Sequence, residues 1–315
     1  MKVSDFNYPL PPELVAQSPP PRREDARLLV LHRDGRVEHR RFPDIVGFLR
    51  GETVFLNDTK VLRARIELHR ETGGRVLALL VRRLGDRTWQ ALLDASGKLR
   101  TGERLRAGDR AHVRLAEKQE DHWTLEFEEE PDLAILGKPP LPPYIRRPAG
   151  PDDDARYQTV YAAREGAIAA PTAGLHFTPE ILSQLATKRL TLHVGLGTFR
   201  PVKCEEIEDH RMHPEAYEIP EPPQGKVVAV GTTTCRALET WALTGRTSGT
   251  TDLFITPGFE FKAVKALLTN FHVPKSTLLM LVCAFAGRER VLAAYAEAVR
   301  EKYRFFSYGD AMLIL

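Results

Sequence analysis

The apolar period changes twice along this chain, and that change limits the fold more than any single motif. Along Trp123, Leu125 and Phe127 apolar residues alternate with polar ones, and residues 76–81 and 89–93 are β-rich runs. Turn signals bound them at Gly73-Gly74, Gly85-Asp86, Ser96-Gly97, Gly108-Asp109 and Asp121. No helical period interrupts them, so this stretch is expected to form a small antiparallel barrel or sandwich. The proline-rich run 139–143 closes it, because it continues neither a helix nor a central strand.

On either side, strands alternate with helices. Residues 28–32 and 53–56 read as strands and 44–49 as a short helix. Past the hinge, Thr178 reads as an N-cap with Pro179 at the first helical position, and Ile181, Leu182 and Leu185 supply that helix's buried face. Residues 226–230 form a buried strand; Gly231 and three threonines then open a helix with Cys235, Leu238 and Ala242 inside. A last helix covers 289–302, with Val291, Tyr295 and Val299 on one face. The expected fold is α/β, open and barrel-like in a larger domain built from 1–59 and 146–315, with a small antiparallel all-β barrel inserted as 60–145. A length of 315 residues exceeds one comfortable core and fits two domains.

No apolar run reaches the roughly 18 residues that span a bilayer, and the first residues lack the apolar core of a signal peptide, so a cytoplasmic protein without a membrane partner is expected. Cys204, Cys235 and Cys283 are far apart and odd in number, against both a disulfide framework and a zinc site; they read as reduced and buried. The net charge is only +3, but residues 60–115 hold twelve Arg, two Lys and six acidic residues, and 116–132 hold eight acidic residues and one Lys. Two readings stay open for that asymmetry: a basic face following a phosphate backbone, or a solvated Arg-rich strand surface.

Five segments carry more Gly, His and Thr than packing asks for: 169–178, 191–202, 210–215, 229–236 and 269–282. Each sits beside an expected strand end or helix start, where open α/β sheets gather ligands. His176, His193, His210, His213 and His272 fall inside them. Any one alone reads as a structural histidine on a backbone carbonyl; it is their clustering that points to acid–base work. His210 and His213, three apart, can share a helix face as metal ligands, but no third ligand completes a metal motif, and no metal is expected. The turn from Gly231 to Thr234 is either an anion site or an ordinary N-cap. The pair Gly195 and Gly197 lacks the third glycine of a dinucleotide fingerprint. Phe177, Phe199, Phe271, Phe305, Phe306 and Tyr308 read as core or as stacking faces for a base or a sulfonium.

These segments resemble those of the S-adenosylmethionine:tRNA ribosyltransferase-isomerases, the queuosine-pathway family called QueA. The likeness runs from LPPELVAQSP (10–19) and FLNDTKVLRARI (55–66) through LPPYIRR (141–147), APTAGLHFT (170–178), TLHVGLGTFRPV (191–202), HRMHPEAY (210–217) and AVGTTTCRALE (229–239) to TNFHVPKSTLLMLVCAFAG (269–287) and YRFFSYGDAMLI (303–314). It implies a pentosyl-transferring enzyme that moves the ribosyl part of its co-substrate S-adenosylmethionine to 7-aminomethyl-7-deazaguanine at the wobble position of tRNAs with GUN anticodons (Asp, Asn, His, Tyr). The sugar is isomerised to the epoxycyclopentane of epoxyqueuosine, and adenine and methionine leave. No prosthetic group or metal is implied, and a monomer is expected.

Such chemistry needs a base for a sulfonium-acidified hydrogen and an acid for the departing adenine. His176 and His193 are assigned as hypotheses to those roles, with Glu215 or His272 as the next candidates. Gly174, Gly195, Gly197 and Thr198 are assigned to the co-substrate pocket. Gly231, Thr232, Thr233 and Arg236 are assigned to a carboxylate or phosphate. Asn57, Asp58, Arg63, Arg65, Arg146 and Arg147 are assigned to the anticodon arm. Stretches 185–190, 219–226 and 242–251 are shorter than is usual in the family. Two rival readings are a noncatalytic RNA-binding module, which leaves the five segments unexplained, and a methyltransferase, against which the missing glycine fingerprint speaks.

Overall fold

The computed structural model describes residues 1–108, 111–119, 121–195, 202 and 204–315. The chain opens with β1 (Arg27–Leu31), β2 (Val37–Arg41), α1 (Ile45–Leu49) and β3 (Thr53–Asn57), and leaves this unit through β4 (Thr59–Val61). It then forms β5 (Arg65–Arg70), β6 (Arg75–Arg83), β7 (Thr88–Ala95), β8 (Arg104–Ala107), β9 (Ala111–Lys118) and β10 (Trp123–Phe127), and returns through α2 (Leu133–Leu136) and β11 (Gly137–Lys138). The return continues as α3 (Asp153–Arg156), β12 (Arg164–Ala167), α4 (Pro179–Leu182), β13 (Ala186–Leu192), β14 (Glu215–Glu218) and β15 (Val227–Val230). Next come α5 (Thr232–Thr244), β16 (Ser248–Thr251), β17 (Val264–Asn270), α6 (Thr277–Ala286), α7 (Arg288–Arg300) and β18 (Ala311–Ile314).

Nine strands form one mixed sheet in the order β16-β14-β13-β3-β15-β17-β18-β1-β2. Its centre, β13-β3-β15-β17, is parallel. Both faces are covered, which is why the central strands read as continuous apolar runs instead of alternating ones. Leu29, Phe55, Ala229 and Leu267 face the core shared with α5, α6 and α7, through Leu238, Leu279 and Tyr295. Leu28, Val54, Val228 and Leu268 face a second core with Phe42, Ile45, Phe177 and Ile181. Thr178 caps α4 by accepting the Ile181 N–H at 3.4 Å, with Pro179 first in the helix. That helix is one turn long, and after the turn 183–185 the chain enters β13, so residues 186–190 belong to the strand. Cys235 and Cys283 are buried as expected, whereas Cys204 is only half-buried.

The second unit is an antiparallel seven-stranded sheet, β11-β5-β6-β7-β10-β9-β8, closed by pairing of β5 with β8 around Leu68, Leu80, Val113 and Leu125. Closure also settles the charge asymmetry. The acidic stretch folds back as β10 and its flank against the basic strands, and Arg83–Glu130, Arg104–Glu128 and Arg114–Glu126 pair across the surface. Arg70–Glu103 and Arg75–Glu67 add pairs at 3.1 and 3.0 Å. Much of the local excess of arginine is therefore matched at home, which favours the solvated-strand reading over a continuous basic face.

Gly137 seals this unit onto the segment between β4 and β5 that enters it. A Cβ there would lie 1.8 Å from the Arg63 carbonyl oxygen and 2.8 Å from that of Leu133. Gly137→Ala is expected to lower stability by about 1–3 kcal/mol, the usual cost of overpacking. Urea denaturation measures it, and an unchanged midpoint contradicts it.

Candidate functional site

The four parallel strands β13, β3, β15 and β17 end on one edge of the large sheet. In open α/β sheets that edge gathers loops with unpaired backbone groups. Here the loops enclose a cavity of about 470 Å³, lined by residues 170–173, 231–233 and 269–276 with Tyr144, Val194, Phe306 and Ser307. Four of the five Gly- and His-rich segments meet at this edge. The fifth departs from the expectation: His210 and His213 lie on no helix, His210 packs edge-on against Phe254 at 5.1 Å, and His213 is exposed. Among the described residues no group of three or more His, Cys, Asp or Glu is placed to hold a metal ion.

β15 delivers Gly231 at φ 92°, and α5 starts at Thr232 without any side-chain cap. Gly231 is the N-cap and has no side chain to offer, and among the described residues no side-chain acceptor meets the first-turn N–H groups of α5, the arrangement that favours an anion. α6, which starts on the same cavity, is capped instead, by Ser276 Oγ accepting the Leu279 N–H at 3.2 Å.

Of the four acid–base candidates only His272 lines the cavity. Its Nε2 bonds Thr269 Oγ1 at 2.6 Å, its backbone N–H donates to the Tyr295 hydroxyl at 3.1 Å, and burial pushes its pKa down to about 3. His176 lies behind the wall, 3% exposed, with its ring 5.1 Å from Phe42. Its Nε2 accepts from Asn270 Nδ2 at 3.3 Å, and burial, assisted by Arg23 and Arg304, lowers it to about 3. Both rings are therefore neutral near pH 7. His193 is half-buried over the junction of the two units, with Nδ1 on Thr59 Oγ1 at 2.8 Å; burial lowers its pKa against the opposing pull of Asp58. Glu215 and Arg236 form a buried ion pair. Glu215 also accepts the Gly195 N–H at 2.8 Å, and Arg236 reaches the carbonyls of Leu253 and Thr251 at 3.0 and 3.4 Å. That guanidinium braces α5 against the strand after it and does not line the cavity.

Gly174 is explained by close approach: a Cβ there would sit 1.9 Å from the Tyr161 hydroxyl. Gly197 and Thr198 lie outside the described residues. Asn57 and Asp58 are buried; Asn57 bonds Leu192 and Thr233, and Asp58 accepts the Thr191 hydroxyl at 2.6 Å. Arg63 pairs with Asp154 at 3.2 Å, and Arg65 reaches the Leu141 carbonyl at 3.2 Å. Arg147 grips Asp153 at 2.6 and 2.9 Å, a carboxylate that also accepts the Tyr308 hydroxyl at 2.7 Å. Arg146, two residues from the cavity wall at Tyr144, has an exposed side chain.

Sequence reasoning passed over Asn270, Tyr144 and Lys275, and kept Phe306 only as one aromatic among six. Asn270 carried a signal, a polar side chain in the apolar run of β17. Tyr144 was hidden in the proline hinge; its hydroxyl meets Ser307 Oγ at 2.6 Å, and burial raises its pKa to about 12. Phe306 and Lys275 hold φ of 71° and 60°, a region that costs non-glycine residues roughly 1–3 kcal/mol and collects at functional sites.

A family model described as "Queuosine biosynthesis protein" matches residues 3–314. The chain is 48% identical over 338 aligned positions to the S-adenosylmethionine:tRNA ribosyltransferase-isomerase of Thermotoga maritima, covering 100% of both. It is 47% identical over 343 positions to the protein of that name from Acetivibrio thermocellus, again covering 100% of both. The crystal structure of S-adenosylmethionine tRNA ribosyltransferase from Thermotoga maritima superposes with a TM-score of 0.54 at 36% identity, over 99% of this chain and 100% of that one.

The two neutral histidines set a pH dependence. Their folded pKa values lie near 3, below the unfolded value of about 6.5, so the stability they contribute is present above about pH 6.5 and is lost as pH falls toward 3. Between pH 6.5 and 5 each accounts for a loss of roughly 2 kcal/mol. His176→Gln, which keeps an acceptor for Asn270, is expected to remove about half of that histidine-dependent loss in urea titrations at the two pH values. An unaltered difference contradicts the assignment of a buried neutral ring.

Proposed function

The chain belongs to the queuosine biosynthesis protein family, and from that premise we propose that the cavity at the ends of β13, β3, β15 and β17 is where the ribosyl group of S-adenosylmethionine passes to a tRNA base. The enzyme is an S-adenosylmethionine:tRNA ribosyltransferase-isomerase: it transfers and isomerises the ribosyl moiety of that co-substrate, onto 7-aminomethyl-7-deazaguanine in tRNA, giving epoxyqueuosine with release of adenine and methionine. The single observation that carries the siting is the juxtaposition of an uncapped helix start with walls whose imidazole is neutral. A sulfonium donor is a cation joined to a carboxylate. The first-turn N–H groups at Thr232 and Thr233 suit the carboxylate. A neutral His272 in the wall spares the sulfonium a like charge, and its ring can accept a proton, though the burial that keeps it neutral also lowers its basicity.

Roles are proposed accordingly. His272 receives the proton acidified by the sulfonium; His176 and His193 position neighbours; the Glu215–Arg236 pair fixes Gly195 and the start of α5. Withdrawing water from this pocket strengthens each fixed dipole on the developing charge. We further propose that the acceptors are tRNAs with GUN anticodons, that Arg146 meets the RNA backbone, that the working form is a cytoplasmic monomer, and that 1–59 with 146–315 and the inserted 60–145 are its two domains. No helix of the described residues is long and apolar enough to cross a membrane.

Incubation with S-adenosylmethionine and an anticodon stem-loop carrying the aminomethyl base is expected to yield free adenine and the matching mass gain on the RNA. His272→Ala is expected to lower kcat by about 100-fold or more, the usual contribution of a positioned acid or base, with stem-loop affinity within a few-fold. Absence of adenine overturns the reading, S-adenosylhomocysteine marks a methyl transfer instead, and unchanged turnover removes His272 from the chemistry.

A further inference from the structure

Phe306 is the one aromatic residue of the described chain with a positive φ, and it lines the cavity. Glycine or asparagine fits that conformation with less strain. Three contacts hold the phenylalanine in it. Its N–H donates to the Phe271 carbonyl at 3.2 Å, its carbonyl accepts Asn270 Nδ2 at 3.2 Å, and the Tyr144 ring stands 4.8 Å away at 54°. Among the described aromatic candidates, Phe177, Phe305 and Tyr308 do not line the cavity, and Phe271, in its wall, has no exposed surface whereas Phe306 keeps 7%; Phe199 lies outside the described residues.

Asn270, 2% exposed, links this ring to His176. Its Nδ2 faces three acceptors: His176 Nε2 at 3.3 Å, the Phe306 carbonyl at 3.2 Å and the Asp310 carbonyl at 3.5 Å. Turning the amide over would aim Oδ1 at all three, so the orientation is fixed by its surroundings. Oδ1 is left buried, without a hydrogen-bond partner, on a residue that lines the same cavity as Phe306. A buried acceptor of this kind is costly unless a donor reaches it.

We propose that Phe306 and Asn270 together form a subsite for a planar, amino-bearing purine-type ring, which lies against the Phe306 face and donates an exocyclic N–H to Asn270 Oδ1. His176 is a positioning residue that acts through Asn270. Adenine of the co-substrate and the deazaguanine of the RNA both have this chemistry, and the inference rests on the proposed siting of the reaction in this cavity. The apolar face supplies affinity, and the single acceptor sets which edge of the ring points inward.

The test compares wild type with Phe306→Leu, Phe306→Tyr, His176→Leu and His176→Gln, using S-adenosylmethionine and the modified stem-loop, with thermal melts to establish folding. Phe306→Leu is expected to raise one KM by about tenfold or more, the scale of a lost base–aromatic stack, with kcat little changed. A rise in the S-adenosylmethionine KM identifies the ring as adenine; a rise in the stem-loop KM identifies it as the RNA base. Phe306→Tyr, which keeps the ring, returns that KM to within about threefold. His176→Leu shifts the same KM, and His176→Gln, which still offers Asn270 an acceptor, restores it. The inference is overturned if the Leu and Tyr variants match each other, whether both are normal or both impaired, or if only kcat falls. If wild type releases no adenine, the siting of the reaction fails instead, and equilibrium dialysis of the two ligands against the same variants still reads the stacking.

Discussion

One buried amide holds the candidate site open. Asn57 ends β3 at the point where the chain leaves for the barrel, and it has no exposed surface. Its Nδ2 donates to the Leu192 carbonyl at 2.9 Å and to Thr233 Oγ1 at 3.3 Å, while its Oδ1 accepts the N–H groups of Leu192 and Thr59 at 3.0 and 3.2 Å. A single side chain thus continues the sheet past its last strand pair, ties β13 to the first turn of α5, and sets the entry into β4. Removing it would strand several buried donors and acceptors at once, a larger loss than that of one exposed bond. Asn57, assigned from the sequence to the anticodon arm, is buried and bonded to the cavity-lining Thr233.

The same logic runs through the site. Polar residues at the strand ends are mostly bonded to one another, and among the described residues two groups without side-chain partners lie in the cavity wall: the start of α5 and Asn270 Oδ1. Burial makes the histidines around them neutral, so the cavity presents dipoles and rings instead of charges, with Lys275 on its rim. Such a lining suits a cationic sulfonium whose carboxylate finds a helix start. The barrel contributes a surface of paired charges, and its hinge is locked to the large unit by Arg147, Asp153 and Tyr308.

Much of this was legible in the sequence because local chemistry and tertiary context agreed. The run 227–230 followed by Gly231 and three threonines marked strand, tight turn and helix start; Thr178 with Pro179 marked a cap; the paired turn signals of 73–109 marked the barrel strands. The β17 to α6 region was less legible. The helix Thr277–Ala286 is apolar on nearly every side, so it shows no amphipathic period, and only Ser276 announces it. The surroundings of the histidines were not legible, because sequence spacing carries no burial. His176 and His193 stand in the right segments, yet one lies behind Asn270 and the other on Thr59. The charge asymmetry alone left two readings open, and only the closed sheet, which makes two stretches opposite in sign along the chain neighbours, favours the solvated one.

The account's central claim is that one cavity receives the sulfonium donor with its carboxylate at the start of α5 and an amino-bearing ring against Phe306. A crystal structure of the protein with S-adenosylmethionine bound tests it most directly. The account predicts donor density between Thr232, His272 and the cavity mouth, with the carboxylate on the first-turn N–H groups of α5. Density seated elsewhere, such as in the groove lined by His32 and Lys265 at the other end of the sheet, would contradict it.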